Sequence, residues 1–106
     1  MSQLLELSAG ILDGTTDPDG TGPINRINFQ LSSITDRVAL VEAFSHCILF
    51  ETDDGLLGFD TSSVQGGARV VSAIRNWRNA PFHTLVYTHG HLDHVGGCGA
   101  FMDSAS

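Results

Sequence analysis

Residues 88–97 read THGHLDHVGG and place three of the chain's five histidines, together with one aspartate, within six consecutive positions. They follow directly on residues 82–88 (FHTLVYT), a β-branched and aromatic run that is typical of a strand. In open α/β sheets the ligand crevice lies beyond the carboxyl ends of the strands. The position of this histidine cluster therefore predicts a functional site.

The residue types and spacing in this cluster indicate metal binding. His89 and His91 are two positions apart, so in an extended backbone both rings project to one side and can chelate one ion. If a helix begins after Leu92, Asp93 and His94 point to an adjacent spot, as a two-metal site requires. Imidazole and carboxylate donors favour zinc, with iron or manganese as alternatives. Solvent-facing loop histidines are the alternative interpretation, and four such residues at this spacing argue against it.

The segments before the cluster predict several strands. Residues 38–44 and 47–51 are β-rich, and residues 52–55 (TDDG) predict a hairpin turn because the Asp-Gly pair supplies the positive φ that such turns need. Residues 56–60 then form the return strand. These short apolar runs between turn signals are typical of strands buried on at least one face.

A helix is predicted over residues 64–79, between the return strand and the strand of residues 82–88. Its apolar face is formed by residues at three- and four-residue spacing, namely Val70, Val71, Ile74 and Trp77. Either Ser62 or Ser63 is a candidate cap for its first turn. A strand–helix–strand order of this length predicts a right-handed crossover between parallel neighbouring strands.

Residues 1–36 have a different character and are predicted to be an N-terminal arm or loop region, with the domain proper at residues 37–106. Residues 4–12 contain enough leucine and isoleucine for one short helical turn or a strand. Residues 13–23 (DGTTDPDGTGP) consist almost entirely of turn-forming residue types, so an exposed loop is expected there.

The composition disfavours several function classes. The formal net charge is −7, from twelve carboxylates against five arginines and no lysine, which leaves no cationic surface for nucleic acid or an anionic membrane. No apolar run approaches the ~20 residues that span a bilayer. Two cysteines, Cys47 and Cys98, form no disulfide framework, so we expect a cytoplasmic protein.

The chain also resembles a known family. HGHLDH (residues 89–94) matches the HxHxDH signature of the metallo-β-lactamase-fold hydrolases, and Thr88 matches the THxHxDH form of several branches. Residues 47–61 look like the family's early hairpin, whose return strand ends in an aspartate. The resemblance covers residues 37–102 and implies an α/β fold: half of an αββα sandwich, with a mixed β-sheet and helices on one face. The alkylsulfatase-like and glyoxalase-II-like branches are the most similar.

What the resemblance implies for the site is specific. His89 and His91 would bind one zinc ion, and Asp93 and His94 would bind a second. Asp93 would also handle the proton of the activated water, and Asp60 would brace the metal loop. The implied activity is a metal-dependent hydrolase that attacks an ester-type bond (a sulfate ester, thioester or lactone) in a small-molecule substrate.

The sequence departs from the family pattern after the motif. The family takes further ligands from later segments, whereas the twelve residues after His94 contain no histidine and only one carboxylate, Asp103. The alternative is therefore a truncated, non-catalytic metal-binding half-domain that needs a partner, and a homodimer would cover its exposed sheet face. Three other residues are candidate additional ligands, namely His46, His83 and Cys98. For each of them a structural role is favoured over metal binding.

Overall fold

A computed structural model describes residues 3–15 and 27–105 of the chain. Residues 16–23 of the predicted loop lie outside these ranges. In chain order the elements are helix α1 (Gln3–Asp13), strands β1 (Leu31–Thr35), β2 (Val38–Val41), β3 (Cys47–Thr52) and β4 (Gly55–Phe59), helix α2 (Gly67–Trp77), strand β5 (Phe82–Val86), and helices α3 (Leu92–Val95) and α4 (Cys98–Ala105).

The five strands form one mixed sheet in the order β1-β2-β3-β4-β5. The first four are antiparallel neighbours, and β5 runs parallel to β4. The predicted hairpin joins β3 to β4, with Thr52 paired to Gly55. Gly55 has a φ of 135°, and a Cβ at this position would lie 2.5 Å from the Pro81 carbonyl oxygen, so glycine is required for both reasons. The α/β class and the parallel crossover predicted from the sequence are confirmed.

Helix α2 forms the crossover but is shorter than the predicted span of residues 64–79. Gly66 and Gly67 disfavour an earlier start because glycine loses more backbone entropy in a helix than other residues do. The prediction of Ser62 or Ser63 as the helix cap is wrong, because the N-cap is Gly66 and it has no side-chain cap. Ser63 instead stabilises the turn before the helix: its carbonyl oxygen accepts the amides of Gly66 and Gly67, and its hydroxyl also accepts the Gly66 amide. The helix ends when Arg78 adopts an extended backbone.

Helices α2 and α4 pack together on one face of the sheet. Alternate residues of β2 to β4 point toward them and are fully buried, which places the core between the sheet and these helices. Its largest members are Val41, Leu49, Leu56, Val70, Ile74 and Phe101. The pattern matches the predicted helix face except for Trp77, which packs at the margin of this core.

The opposite face of the sheet, called the outer face below, is turned away from the core that lies under α2 and α4. Direct cross-strand pairs place six apolar side chains on it, namely Val38, Leu40, Ile48, Phe50, Leu57 and Phe59. Phe50 and Phe59 meet edge to face, with ring centroids 5.7 Å apart, and Ile48 and Phe50 are among the exposed large apolar residues. This face is an exposed apolar surface of the kind that binds other proteins or other parts of a chain.

Two segments within the predicted arm or loop region, residues 1–36, have regular secondary structure, and the first of them is the one where a short helical turn or a strand was expected. Gln3–Asp13 is a helix, and Leu31–Thr35 is an edge strand in which Leu31 lies opposite Val41. Edge pairing depends on contacts with β2 rather than on local propensity, and so a five-residue segment with two serines gave a weak strand signal. The domain boundary at residue 37 stays a prediction, with β1 lying before it.

Candidate metal centre

The histidine cluster lies where the two parallel strands end, as expected for an α/β sheet. Asp60 directly follows β4, and Thr88 is the second residue after β5. The Asp60 amide donates to the Val86 carbonyl oxygen at 2.8 Å, which ties the two strand ends together. Residues from both strands therefore contribute to one site.

Three of the predicted ligands meet within a small volume. Donor atoms of His89, His91 and Asp93 all lie within 4.8 Å of one another. The two histidines are exposed and the aspartate is half-buried, so the site opens to solvent. The rings of His89 and His91 stand at 80° to each other with centroids 4.5 Å apart. The extended backbone expected for this pair is not found: the chain bends over residues 88–90, and His91 alone is extended before α3 begins at Leu92.

The arrangement corrects one geometric expectation. Asp93 and His94 were expected to point to a separate spot, but Asp93 lies with His89 and His91 and also approaches His94, whose Nε2 is 3.3 Å from Asp93 Oδ2. The rings of His89 and His94 have centroids 4.0 Å apart. The physical reason is that α3 begins at Leu92, so Asp93 and His94 are neighbours in its single turn. The Asp93 carboxylate is therefore within reach of all three histidines of the motif.

Asp60 organises the residues beneath this group. Its Oδ2 lies 2.8 Å from His94 Nδ1, while its two oxygens accept the Thr88 amide and the Thr88 hydroxyl, each at 2.9 Å. An ionised carboxylate only accepts, so the Thr88 hydroxyl donates to Asp60 and its oxygen is free to accept from His89 Nδ1, 3.0 Å away. Nδ1 of both histidines is thus engaged, which leaves Nε2 as the basic nitrogen that a metal ion needs.

The same contacts set the charge of Asp60. Burial opposes ionisation, but hydrogen bonds from the Thr88 amide, His94 and the Thr88 hydroxyl, together with the charge of His94, outweigh it. The net effect lowers the pKa of Asp60 below its ordinary value. Asp60 is consequently a carboxylate at neutral pH, although only 5 % of it is exposed.

Two contacts that position His94 had no signal in the sequence analysis. The Ser45 hydroxyl lies 2.9 Å from His94 Nδ1, and the amide and hydroxyl of Thr61 both donate to the His94 carbonyl oxygen, at 2.7 and 3.1 Å. Ser45 was interpreted only as part of a break between two strands. Its separation of 49 residues from His94 makes the contact a product of tertiary structure.

The backbone around the site is strained. Asp60 and Ser62 have φ values of 64° and 65°, in the left-handed region that non-glycine residues rarely occupy. Such strain persists only where surrounding contacts determine the conformation, and it concentrates at functional sites. Here the packing is close enough to do so, because a Cβ at Gly97 would lie 2.0 Å from the Thr61 carbonyl oxygen.

The other residues weighed as ligands are not among the converging donors. His46 Nδ1 accepts the Ala43 amide at 3.1 Å. His83 lies near the start of β5, away from the cluster at its end, with Nδ1 2.8 Å from the Thr84 hydroxyl. Cys98 begins a separate helix after the Gly96-Gly97 turn and contacts Tyr87. Cys47 is fully buried in the core, as predicted.

The donor set fits a transition-metal ion. Two imidazoles and a carboxylate within reach of one another are typical ligands of zinc, for which structural and catalytic sites use nitrogen, oxygen or sulfur donors in a tetrahedral shell. The oriented histidines add the supporting hydrogen bonds that metal-binding histidines almost always have. The described residues therefore supply three donors with His94 beside them.

Comparison with known proteins places these features in a family. Residues 40–106 match the family model of the metallo-beta-lactamase superfamily. Over 85 residues the chain is 29% identical to the alpha subunit of a 2,4-dinitroanisole O-demethylase from Nocardioides sp. (strain JS1661), which covers 74% of this chain and 26% of that protein. Over 55 residues it is 36% identical to a linear primary-alkylsulfatase from Pseudomonas sp. (strain ATCC 19151), which covers 51% of this chain and 10% of that protein.

Solved structures show the same fold. BJP-1, a subclass B3 metallo-beta-lactamase of Bradyrhizobium japonicum, superposes with a TM-score of 0.65 at 23% identity, covering 74% of this chain and 31% of that one. A sec-alkyl sulfatase double mutant gives a TM-score of 0.61 at 24% identity, covering 68% and 12%. The chain thus spans a third or less of the length of these relatives. The sequence match over residues 40–106, supported by the fold and the clustered motif, shows that the chain belongs to the metallo-beta-lactamase superfamily.

Proposed function

We propose that this chain carries the metal site of a metal-dependent hydrolase that cleaves an ester-type bond in a small-molecule substrate. The observation that supports the proposal is the convergence of His89, His91 and Asp93 within 4.8 Å at the ends of the parallel strands. Membership of the superfamily makes hydrolysis the expected reaction class. A sulfate ester is favoured among ester-type bonds, because one relative is a linear primary-alkylsulfatase.

The proposed cofactor is zinc, with two ions per site and iron or manganese as alternatives. His89 and His91 would hold one ion, and Asp93 and His94 the other. A bound zinc ion lowers the pKa of its water to about 7 and so supplies a nucleophile at neutral pH. Asp93 would also handle the proton of the activated water, as the family resemblance implies, and its carboxylate lies within reach of the ligand pair and of His94.

Asp60 and Thr88 would contribute by orientation. Asp60 holds Nδ1 of His94, and the Thr88 hydroxyl holds Nδ1 of His89 while donating to Asp60. This network fixes two ring orientations before a metal binds, which lowers the entropy lost on binding.

The second candidate is a metal-binding half-domain without activity of its own. The outer face of the sheet favours it, because six apolar side chains lie on that face and two of them, Ile48 and Phe50, are among the exposed large apolar residues. A second copy of the chain is the partner proposed, as a homodimer.

The net charge of −7 supports the proposal that neither nucleic acid nor membrane is a partner. No helix among the described residues is long and apolar enough to cross a membrane, and a cytoplasmic location stays a prediction.

The two candidates differ in metal content and turnover. We expect the chain, purified without chelators, to contain one to two zinc ions per chain by elemental analysis. We also expect it to hydrolyse a generic ester. Both properties should be lost in the His89→Ala, His91→Ala double variant. His83→Ala is the matched control, because His83 is an exposed histidine at the other end of β5. Stoichiometric zinc without turnover supports the half-domain, and absence of zinc uptake contradicts both.

A further inference from the structure

A cavity of about 530 Å³ adjoins the candidate metal centre. It opens between the segment before β1, the residues that precede α2, and the start of α3. Its apolar and cationic lining consists of Ile27, Phe29, Phe44, Val64, Arg69 and Leu92. Asp93 lines the same cavity and is one of the three converging donors, so the cavity and the site share a wall. The volume lies in the range of about 300–1,000 Å³ that small-molecule pockets occupy.

The exposed apolar residues of the molecule concentrate at this cavity. Nine large apolar side chains are exposed in the described part of the chain, and four of them line the cavity. They are Ile27, Phe44, Val64 and Leu92, with exposed fractions of 51%, 53%, 66% and 73%. Apolar surface gathered in a concave site beside polar donors is typical of ligand binding.

The wall of the cavity is held in place by contacts on its far side. Phe29 has a φ of 55°, a conformation rare for an aromatic residue, and its amide donates to the Glu42 carbonyl oxygen at 2.7 Å. The Arg69 guanidinium lies 4.1 Å from the centroid of the Phe29 ring, in a cation–π contact. Strained backbone that neighbouring contacts fix in one conformation is typical of ligand clamps.

We propose that this cavity binds a large alkyl or aryl group of the substrate while the ester-type bond lies at Asp93. The inference rests on the proposed function and narrows it: the enzyme would select substrates that carry a long apolar group over those that carry a methyl group. Each methylene removed from water adds to the binding affinity, so an octyl chain gains affinity that a methyl group does not.

The experiment compares octanoate with acetate, which have the same headgroup and differ in chain length. Binding to the full chain is followed by backbone amide shifts in nuclear magnetic resonance, with zinc absent. We expect octanoate to shift the amides of residues 63–66 and 92 and acetate to leave them in place at the same concentration. Equal shifts from both anions, or octanoate shifts confined to β3 and β4 of the outer face, would overturn the proposal.

Two substitutions test the site itself. Val64→Asp puts a charge into the apolar lining and should weaken octanoate binding roughly tenfold or more. Phe44→Ala removes apolar area without adding charge and should weaken it several-fold. Phe50→Asp is the matched control, because it adds the same charge to the outer face and should leave the dissociation constant unchanged. Unchanged affinity in both cavity variants contradicts the inference.

Failure of octanoate binding can be distinguished from failure of the proposed function. Octanoate binding is also measured on the His89→Ala, His91→Ala variant, whose apolar lining is intact. The variant should lose zinc and keep octanoate binding. A wild-type chain that binds octanoate but takes up no zinc would contradict the metal-dependent hydrolase and leave the apolar site standing. A wild-type chain that holds zinc but binds no octanoate would contradict the apolar site and leave the metal-dependent hydrolase standing.

Discussion

The carboxylate of Asp60 lies 2.8 Å from Nδ1 of His94, a residue 34 positions further along the chain. This contact joins the end of β4 to helix α3 and fixes which nitrogen of His94 faces the other donors. The same carboxylate accepts the amide and hydroxyl of Thr88 at the end of β5. One buried acidic group thus sets the geometry of a site whose donors come from the next strand.

Removing that charge should weaken metal binding. Asp60→Asn keeps the size of the side chain but cannot accept three hydrogen bonds as a carboxylate does, and loss of such supporting groups lowers metal affinity about 10–100-fold. Zinc affinity is measured by competition with a chromophoric chelator. Asp53→Asn is the control, since the Asp53 side chain is 97% exposed and pairs only with Arg37 at the surface. Equal zinc affinities of wild type and Asp60→Asn would refute a positioning role for Asp60.

The lowered pKa of Asp60 gives a pH dependence with a definite sign. A group whose folded pKa is lowered stabilises the fold above its unfolded pKa, about 3.9 for aspartate, and this contribution disappears as pH falls through the folded pKa. We expect the difference in unfolding free energy between wild type and Asp60→Asn to be constant above about pH 5 and to shrink below about pH 4. Urea unfolding of the zinc-free chain at several pH values measures it. A difference that grows toward acid pH would contradict the assignment.

The close approach at Gly97 predicts a large stability effect from one methyl group. A Cβ there would lie 2.0 Å from the Thr61 carbonyl oxygen, a backbone atom that cannot rotate away. Gly97→Ala should destabilise the fold by about 1–3 kcal/mol or more, in line with other overpacked sites. Gly99→Ala is the matched control, since its Cβ meets nothing within 4 Å and alanine favours a helix by up to about 1 kcal/mol. The urea midpoint of Gly97→Ala should fall, and that of Gly99→Ala should rise or fall by less. Equal midpoints of the two variants would refute the contact at Gly97.

The two cysteines should differ in reactivity. Burial, with a smaller contribution from the charge of Asp60, raises the pKa of Cys47 to about 12, whereas Cys98 is half-buried. Because the thiolate is the nucleophile, about one Cys47 in ten thousand is reactive at pH 8. Alkylation by iodoacetamide, followed by mass spectrometry, should therefore label Cys98 first. Cys47→Ser and Cys98→Ser isolate each thiol, and urea should make both react. Labelling of Cys47 at the rate of the unfolded chain would contradict its burial.

The sequence predicted the residues of the candidate site better than it predicted the segments that hold them in place. The motif of residues 89–94 carries its own chemistry in adjacent positions, and the hairpin at Gly55 depends on a local turn preference, so both could be recognised without a structure. The cluster, the parallel crossover and the class of fold follow from such local signals. The assignment of each metal ligand stays a prediction.

The remaining features depend on contacts between distant residues. Ser45 lies 49 residues from His94, and Thr61 lies 33 residues from it, so no local pattern marks either as a positioning group. The edge strand at Leu31–Thr35 is stabilised by its pairing to β2. The segment is only five residues long and two of them are serines, so its sequence gave a weak strand signal and it was included in the arm.

The outer face predicts self-association of the chain. Phe50 pairs with Leu57 and Ile48 with Phe59, so four apolar side chains form a continuous surface at the middle of the sheet. Burying such a surface contributes about 25 cal/mol per Å² removed from water, which drives two copies together through these faces. Light scattering should show a mass that rises from one chain to two with concentration. Ile48→Thr with Phe50→Thr keeps β propensity while removing apolar area and should shift the equilibrium to the monomer. Leu12→Thr is the control, since Leu12 is an apolar residue that is 85% exposed on α1 and is not part of the sheet. A wild-type chain that stays monomeric at high concentration would contradict the homodimer, and so would a double variant that dimerises as the wild type does.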